Sequence, residues 1–155
     1  MRIVADNRKA RHDYFVLETI EAGIALTGTE VKSARLGRVN LQDAYASFAH
    51  GELYVHHVHI SPYAQGNRMN HEPYRERKLL LHRKELDAIV GRARERGITL
   101  VPLRMYFNDR GLCKLELGLC RGKKLYDKRE DLKERDAKRE MERALKGRHR
   151  GLGAN

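Results

Sequence analysis

The chain has no tryptophan, only three phenylalanines, three prolines and two cysteines, and no apolar run longer than a few residues. Two cysteines cannot build a disulfide framework. Cys113 and Cys120 lie seven apart in what reads as one strand, which sends them to opposite faces as reduced packing residues. No stretch approaches the length a membrane-spanning helix needs. The start, Met1 to Arg8, lacks the apolar core of a signal peptide, so the reading is a cytoplasmic protein that neither spans nor crosses a membrane. With aromatic residues at 6%, the basic charge has no bulky helix face beside it of the kind that seats a helix on a lipid surface.

Catalytic chemistry is equally sparse. Asp6, Asp13, Glu18, Glu21, Glu30 and Asp43 are scattered among basic residues with no spacing that singles out an acid and a base. The glycine-bearing stretches Arg121-Gly122-Lys123-Lys124 and Gly151-Leu152-Gly153 lack the spacing of a phosphate loop. His56, His57 and His59 invite a metal reading, with His57 and His59 on one strand face, but no Cys or carboxylate at ligand spacing completes it. No catalytic residue, metal or cofactor is assigned.

What the chain does have is positive charge. Its 155 residues carry 32 Lys and Arg against 21 Asp and Glu, a net of +11, with 34% charged and 41% hydrophobic residues. That is one domain's length, enough apolar material for one core, and a segment left in water. From Arg121 to Asn155 the balance is 13 basic against 7 acidic residues, so more than half the excess lies in the last quarter. A polyanion is the natural partner.

The body reads as strands. Tyr14–Ile20, a turn at Glu21-Ala22-Gly23 and a return through Ile24–Thr27 predict a hairpin. Thr29 opens a short helix over Glu30–Leu36, stopped by Gly37. Residues 44–49 and 52–60 form a second hairpin about His50-Gly51. Residues 61–77 read as a long loop. Leu86, Ile89, Val90 and Ala93 mark an amphipathic helix over residues 82–96 with Arg83, Lys84, Arg92, Arg94 and Arg96 on its other face. Alternation then puts Val101, Leu103, Met105 and Phe107 on one face of a strand, and Leu115, Leu117 and Leu119 on one face of the next. The expected fold is mainly β: an antiparallel OB-like barrel of about six strands over residues 1–121, with two to three flanking helices. Residues 122–155 form a basic tail, disordered or conditionally helical, with the ion-pair spacings Asp131/Arg135, Glu134/Lys138 and Glu142/Lys146 and a narrow stripe of Ala137, Met141, Ala144 and Leu145.

Three basic groups recur where strands end, at residues 7–12, 75–78 and 121–129. Arg forks and Lys ammoniums neutralise phosphates and release counterions. His12, Tyr14, Tyr74 and Tyr126 lie in or beside these groups, where rings stack on exposed bases, which favours RNA over duplex DNA.

An ordered set of motifs carries a resemblance. Asn7-Arg-Lys-Ala-Arg-His-Asp-Tyr14, Glu21-Ala-Gly23, Gly28-Thr-Glu-Val-Lys-Ser33 with Arg35, Arg77-Lys-Leu-Leu-Leu81, and Gly122-Lys-Lys124 followed by Asp127-Lys-Arg129 together resemble the SmpB family, the tmRNA-binding (SsrA-binding) proteins of bacterial trans-translation. The resemblance implies a non-enzymatic adaptor that binds the tRNA-like domain of tmRNA and brings it to a stalled 70S ribosome. There the barrel imitates the anticodon arm and the tail enters the empty mRNA channel against small-subunit rRNA, so that the nascent peptide is tagged and the ribosome rescued. It implies a monomer on the RNA.

By position, the resemblance ties Glu21 and Leu80 to tmRNA binding, places Asn7, Arg11 and His12 in the first motif, and makes Lys32, Arg35, Arg77 and Lys78 basic neighbours of the phosphate backbone. Glu21 would accept hydrogen bonds from a base edge, a 2'-hydroxyl or a positioned Arg, or else be a solvated turn residue. Leu80 would touch an unstacked base, or else be a core leucine. Residue 82 is His where some relatives have Asn. Gly122, Lys123, Lys124, Tyr126, Asp127, Lys128 and Arg129 match the segment used at the decoding centre, with Tyr126 where the family places a ring able to stack on a ribosomal base. Two rivals remain on the residues alone: a ribosomal protein or general single-strand binder, and a small metal-dependent nuclease using His57 and His59.

Overall fold

Leu115, Leu117 and Leu119 share one face of a long strand and are all buried in the main core, as their spacing predicts. The computed structural model that shows this describes residues 1–65, 70–123 and 139. Contacts divide the chain into one compact unit, Met1–Gly122, and a second, Lys123–Asn155.

In chain order the first unit holds β1 (Arg2–Asp6), α1 (Arg8–Asp13), β2 (Tyr14–Ile24), α2 (Gly28–Arg35), β3 (Val39–Asn40), β4 (Tyr45–Ala49), β5 (Glu52–His56), β6 (His59–Ile60), β7 (Arg77–Leu80), α3 (Arg83–Ala93), β8 (Ile98–Phe107) and β9 (Cys113–Gly122). The main sheet runs β1-β8-β4-β5-β7-β2-β9, and β9 also pairs with β8, so six antiparallel strands close into a ring with β1 appended outside. Three helices and a two-stranded β3-β6 ribbon surround it. This is the mainly β architecture expected, with an extra strand and helix at the start that the polar sequence of residues 2–13 did not signal.

Four local expectations are corrected. The proposed turn at Glu21-Ala22-Gly23 does not exist: β2 runs unbroken to Ile24 and pairs with β9 from Tyr14 to Gly23. A long partner strand overrides the weak turn signal, and Gly23 serves close approach instead, since a Cβ there would sit 3.2 Å from the Leu80 Cβ of β7. Helix α2 is capped at Thr27, not Thr29, because Glu30 reaches back to accept the Thr27 backbone N–H at 2.8 Å. The second hairpin turns at His50-Gly51 as expected, both at positive φ (52° and 75°), but β5 ends at His56. His57 then takes a left-handed conformation and His59 belongs to β6, so His57 and His59 do not share a strand face.

The fourth correction concerns β8. Register against β9 slips between Pro102 and Arg104, a bulge that reverses the alternation. Met105 and Phe107 therefore face the main core, whereas Val101 and Leu103 pack outside the ring with Cys120 beneath Ala10 of α1. The bulge thus creates the apolar seat of the helix that carries Arg8, Lys9, Arg11 and His12.

Candidate nucleic-acid interface

The side chains on the outer face of β2, β9 and β8 follow from register. Glu21 lies opposite Glu116, Gly23 opposite Lys114, and Arg104 and Tyr106 opposite Glu116 and Lys114. Arg11 of α1 joins this face, with Nη2 at 3.3 Å from Asp6 and 3.8 Å from Glu116, and Arg104 Nε approaches Glu116 to 3.6 Å. Tyr106 is buried and donates its hydroxyl hydrogen to Glu21. Burial, and then that hydrogen bond, raise the Tyr106 phenol well above its ordinary value, so Tyr106 stays a donor.

Leu80 pairs with Gly23 at the end of β7 and is half exposed, whereas its neighbour Leu79 is buried. Glu21, Gly23, Leu80, Leu81, His82, Glu85 and Lys114 line one open depression of about 450 Å³. Glu21 and Leu80, fifty-nine positions apart in sequence, therefore border the same groove, one offering a carboxylate and the other an apolar face. His82 stands at its rim as the N-cap residue of α3, exposed, with its backbone N–H donated to Glu85 at 3.3 Å.

The other expected residues are distributed unevenly. His12 is almost fully exposed, with Nδ1 at 3.0 Å from Asp13. Lys32 and Arg35 are exposed on α2 and lie over the rings of Tyr63 and Phe107, each at 5.6 Å. Lys78 is partly buried, 3.9 Å from Glu52. Gly122 closes β9 opposite Tyr14, and Lys123 follows, partly buried. Lys124, Tyr126, Asp127, Lys128 and Arg129 lie outside the described residues, as do the tail ion-pair spacings.

Two residues sit where phosphate cannot reach them. Asn7 is buried: its Oδ1 accepts from Ala10 N at 3.1 Å, its Nδ2 donates to Leu41 O and Pro102 O, and its own N–H donates to Leu103 O. It seats α1 against the bulge. Arg77 is fully buried and donates to Glu30 Oε2 at 2.5 Å, Val58 O at 2.7 Å and Pro73 O at 3.1 Å. A basic residue beside Lys78 reads as a phosphate contact from sequence, but strand alternation turns Arg77 inward onto the carboxylate of α2.

That carboxylate, Glu30, is also fully buried and accepts from Arg75 Nη2 at 2.7 Å. Burial alone would raise its carboxyl. Hydrogen bonds from Arg75 and the Thr27 backbone, with the Arg77 charge, outweigh burial and hold it below the usual carboxylate range.

The histidines do not assemble. His56 bonds Ser47 at 2.7 Å, His71 bonds Thr29 and Ile60 O, and His59 meets the ring of Tyr74 edge-on at 4.8 Å. Among the described residues no group of three or more His, Cys, Asp or Glu is placed to hold a metal ion. Among them, too, no helix is long and apolar enough to cross a membrane. Tyr106, which holds Glu21, and Lys114 and Glu85, which line the groove, were missed. The first two stand at the outward positions of their strands, a signal visible only once the bulge in β8 fixes which face is outward.

Comparison with known proteins gives the family. The SsrA-binding protein of Moorella thermoacetica is 61% identical over 150 residues, covering 97% of both chains. That of Symbiobacterium thermophilum is 62% identical over 146 residues, covering 94% of this chain and 92% of the relative. A solved chain described as "tmRNA-SmpB: a journey to the center of the bacterial ribosome" superposes with a TM-score of 0.66 at 55% identity, covering 77% of this chain and 83% of that one. A family model described as SmpB protein matches residues 4–147, and the chain belongs to the SmpB family.

Proposed function

We propose that this chain is the RNA-binding adaptor of trans-translation: it binds the tRNA-like domain of tmRNA, delivers it to a stalled ribosome, imitates the anticodon arm and places its tail in the empty mRNA channel. The carrying observation is that Glu21 and Leu80, far apart in sequence, border one groove on a basic protein whose relatives are SsrA-binding proteins. The groove is contact surface for RNA, with the Glu21 carboxylate held by Tyr106 to accept from a base edge or 2'-hydroxyl and Leu80 to meet an unstacked base. Arg11, His12, Lys32, Arg35 and Lys78 supply phosphate contacts, and Asn7 and Arg77 act through the elements they hold.

The protein works in the cytoplasm without catalysis: it positions one RNA on another. The barrel of residues 1–121 holds tmRNA. The tail of residues 122–155, through Gly122, Lys123, Lys124, Tyr126, Asp127, Lys128 and Arg129, meets small-subunit rRNA, with Tyr126 stacking on a ribosomal base.

The test compares tmRNA with an unrelated RNA of equal length over a range of salt. Specific binding gives tighter tmRNA affinity at every salt concentration. Equal affinities with equally steep slopes would instead mark a general phosphate binder.

A further inference from the structure

A second depression, of about 340 Å³, lies away from the Glu21 groove, between α1, the first residue of β2 and the start of β4. Its lining includes Lys9, Asp13, Tyr14, Asp43, Tyr45 and Thr99. Tyr45 is 40% exposed and packs against two imidazoles, stacked on His56 at 5.0 Å and tilted on His57 at 5.5 Å. Among the described residues, the two non-glycine positions at positive φ outside a hairpin turn are Asp43 at 66°, in the lining, and His57 at 63°, against the Tyr45 ring. Such conformations cost free energy and persist where the surroundings hold them. Here one aims a carboxylate at the rim, with Lys9 Nζ 2.8 Å from its Oδ1, and the other backs the Tyr45 ring.

We propose that this depression takes one unstacked RNA base, its face on Tyr45 and Tyr14 and its edge toward Asp43 and Asp13. The inference rests on the RNA-binding function proposed above. The Asp13 and Asp43 carboxylates of the lining repel phosphate and accept hydrogen bonds, so the base is one that presents donors at its edge, guanine above all, while Lys9 meets the adjoining phosphate. A Tyr45 ring packed on two imidazoles presents a fixed stacking surface at little cost in ordering. The base comes from tmRNA or from rRNA, since both offer unpaired guanines.

The full-length protein is titrated with the pentanucleotides UUGUU and UUAUU by fluorescence anisotropy. Wild type is expected to favour the guanine by about tenfold, the order expected of a two-bond base contact. Asp43→Asn keeps the backbone, because Asn tolerates positive φ, and is expected to erase the preference. Tyr45→Leu is expected to weaken both RNAs about tenfold through lost stacking, and Tyr45→Phe to restore them. Melting temperatures close to wild type show that the variants fold. Footprinting on tmRNA and on ribosomes then assigns the source as the RNA in which Tyr45→Leu loses protection of a guanine. Wild-type affinity in Tyr45→Leu, a guanine preference unmoved by Asp43→Asn, or no lost protection in either RNA overturns the proposal. Wild type that still prefers tmRNA over unrelated RNA in the same assay leaves the adaptor function standing, so the two failures are distinct.

Discussion

Tyr106 on β8 reaches over β9 and donates its hydroxyl hydrogen to Glu21 on β2, so the carboxylate proposed to meet RNA is held from a strand that is not its neighbour. Glu21 faces Glu116 directly in the sheet; Arg104 and Arg11 attend Glu116 at 3.6 and 3.8 Å, and the Tyr106 hydroxyl attends Glu21.

Removing that donor by Tyr106→Phe therefore lowers tmRNA affinity by about fivefold, the equivalent of one modest hydrogen bond. Glu21→Gln at the same site leaves a side chain that still accepts, and so loses less than Glu21→Ala. The phenol also has a signature of its own. Because folding raises its pKa, the associated stability is complete below the ordinary tyrosine value and is lost as pH rises beyond it. An absorbance titration of the native protein should show one tyrosine ionising above the rest, and that late phase should be missing from Tyr106→Phe.

The Glu30–Arg77 pair sets acid stability. Both side chains are fully buried, and Arg75 adds a third member from the surface. The Glu30 carboxyl is depressed on folding, so its contribution is complete above the ordinary glutamate range and is lost as pH falls through the lower folded value. Glu30→Gln leaves the Arg77 charge buried without its counter-ion, at a cost of about 3–5 kcal/mol. Urea unfolding followed from neutral to acid pH should show a destabilised variant with a flatter acid limb than wild type.

This pair also shows where the sequence stops being informative. Leu115, Leu117 and Leu119, the Leu86 and Ile89 stripe and the His50-Gly51 turn were legible because each rests on local spacing that the sheet and α3 then satisfy. The Glu21-Ala22-Gly23 turn failed because a strand ten residues long on the other side of the chain supplies β2 with partners that no local pattern announces. Arg77 and Asn7 misled for the opposite reason. A polar residue in a basic run looks solvated until the register shows it pointing inward, where a second polar group from elsewhere in the chain receives it. Glu21 and Leu80 entered through resemblance, and only the fold places them in one groove.

Cys113 and Cys120 are packing residues on opposite faces of β9, one against the main core and one beneath α1. Burial pushes their thiols up to about 12 and about 11, so neither is a thiolate near neutrality. A chromogenic disulfide reagent at mildly alkaline pH should react slowly with the native protein and rapidly with both thiols in denaturant. Fast reaction of either thiol in the native state would mean that β9 opens there.

The proposed division of labour between barrel and tail can be tested by a cut at a residue that the fold supplies. Strand β9 keeps its pairing with β2 as far as Gly122, opposite Tyr14, so a stop codon after Lys123 spares every described strand. That truncation should bind tmRNA within about twofold of the full chain, because the groove and the basic helices proposed to hold tmRNA all precede it. Tagging of stalled peptides should nevertheless be abolished, and Tyr126→Ala in the full chain should retain tmRNA binding while slowing peptidyl transfer. Measured side by side, a truncation that loses affinity and tagging in equal proportion would mean that the tail holds the tmRNA itself, and the two surfaces would then be one.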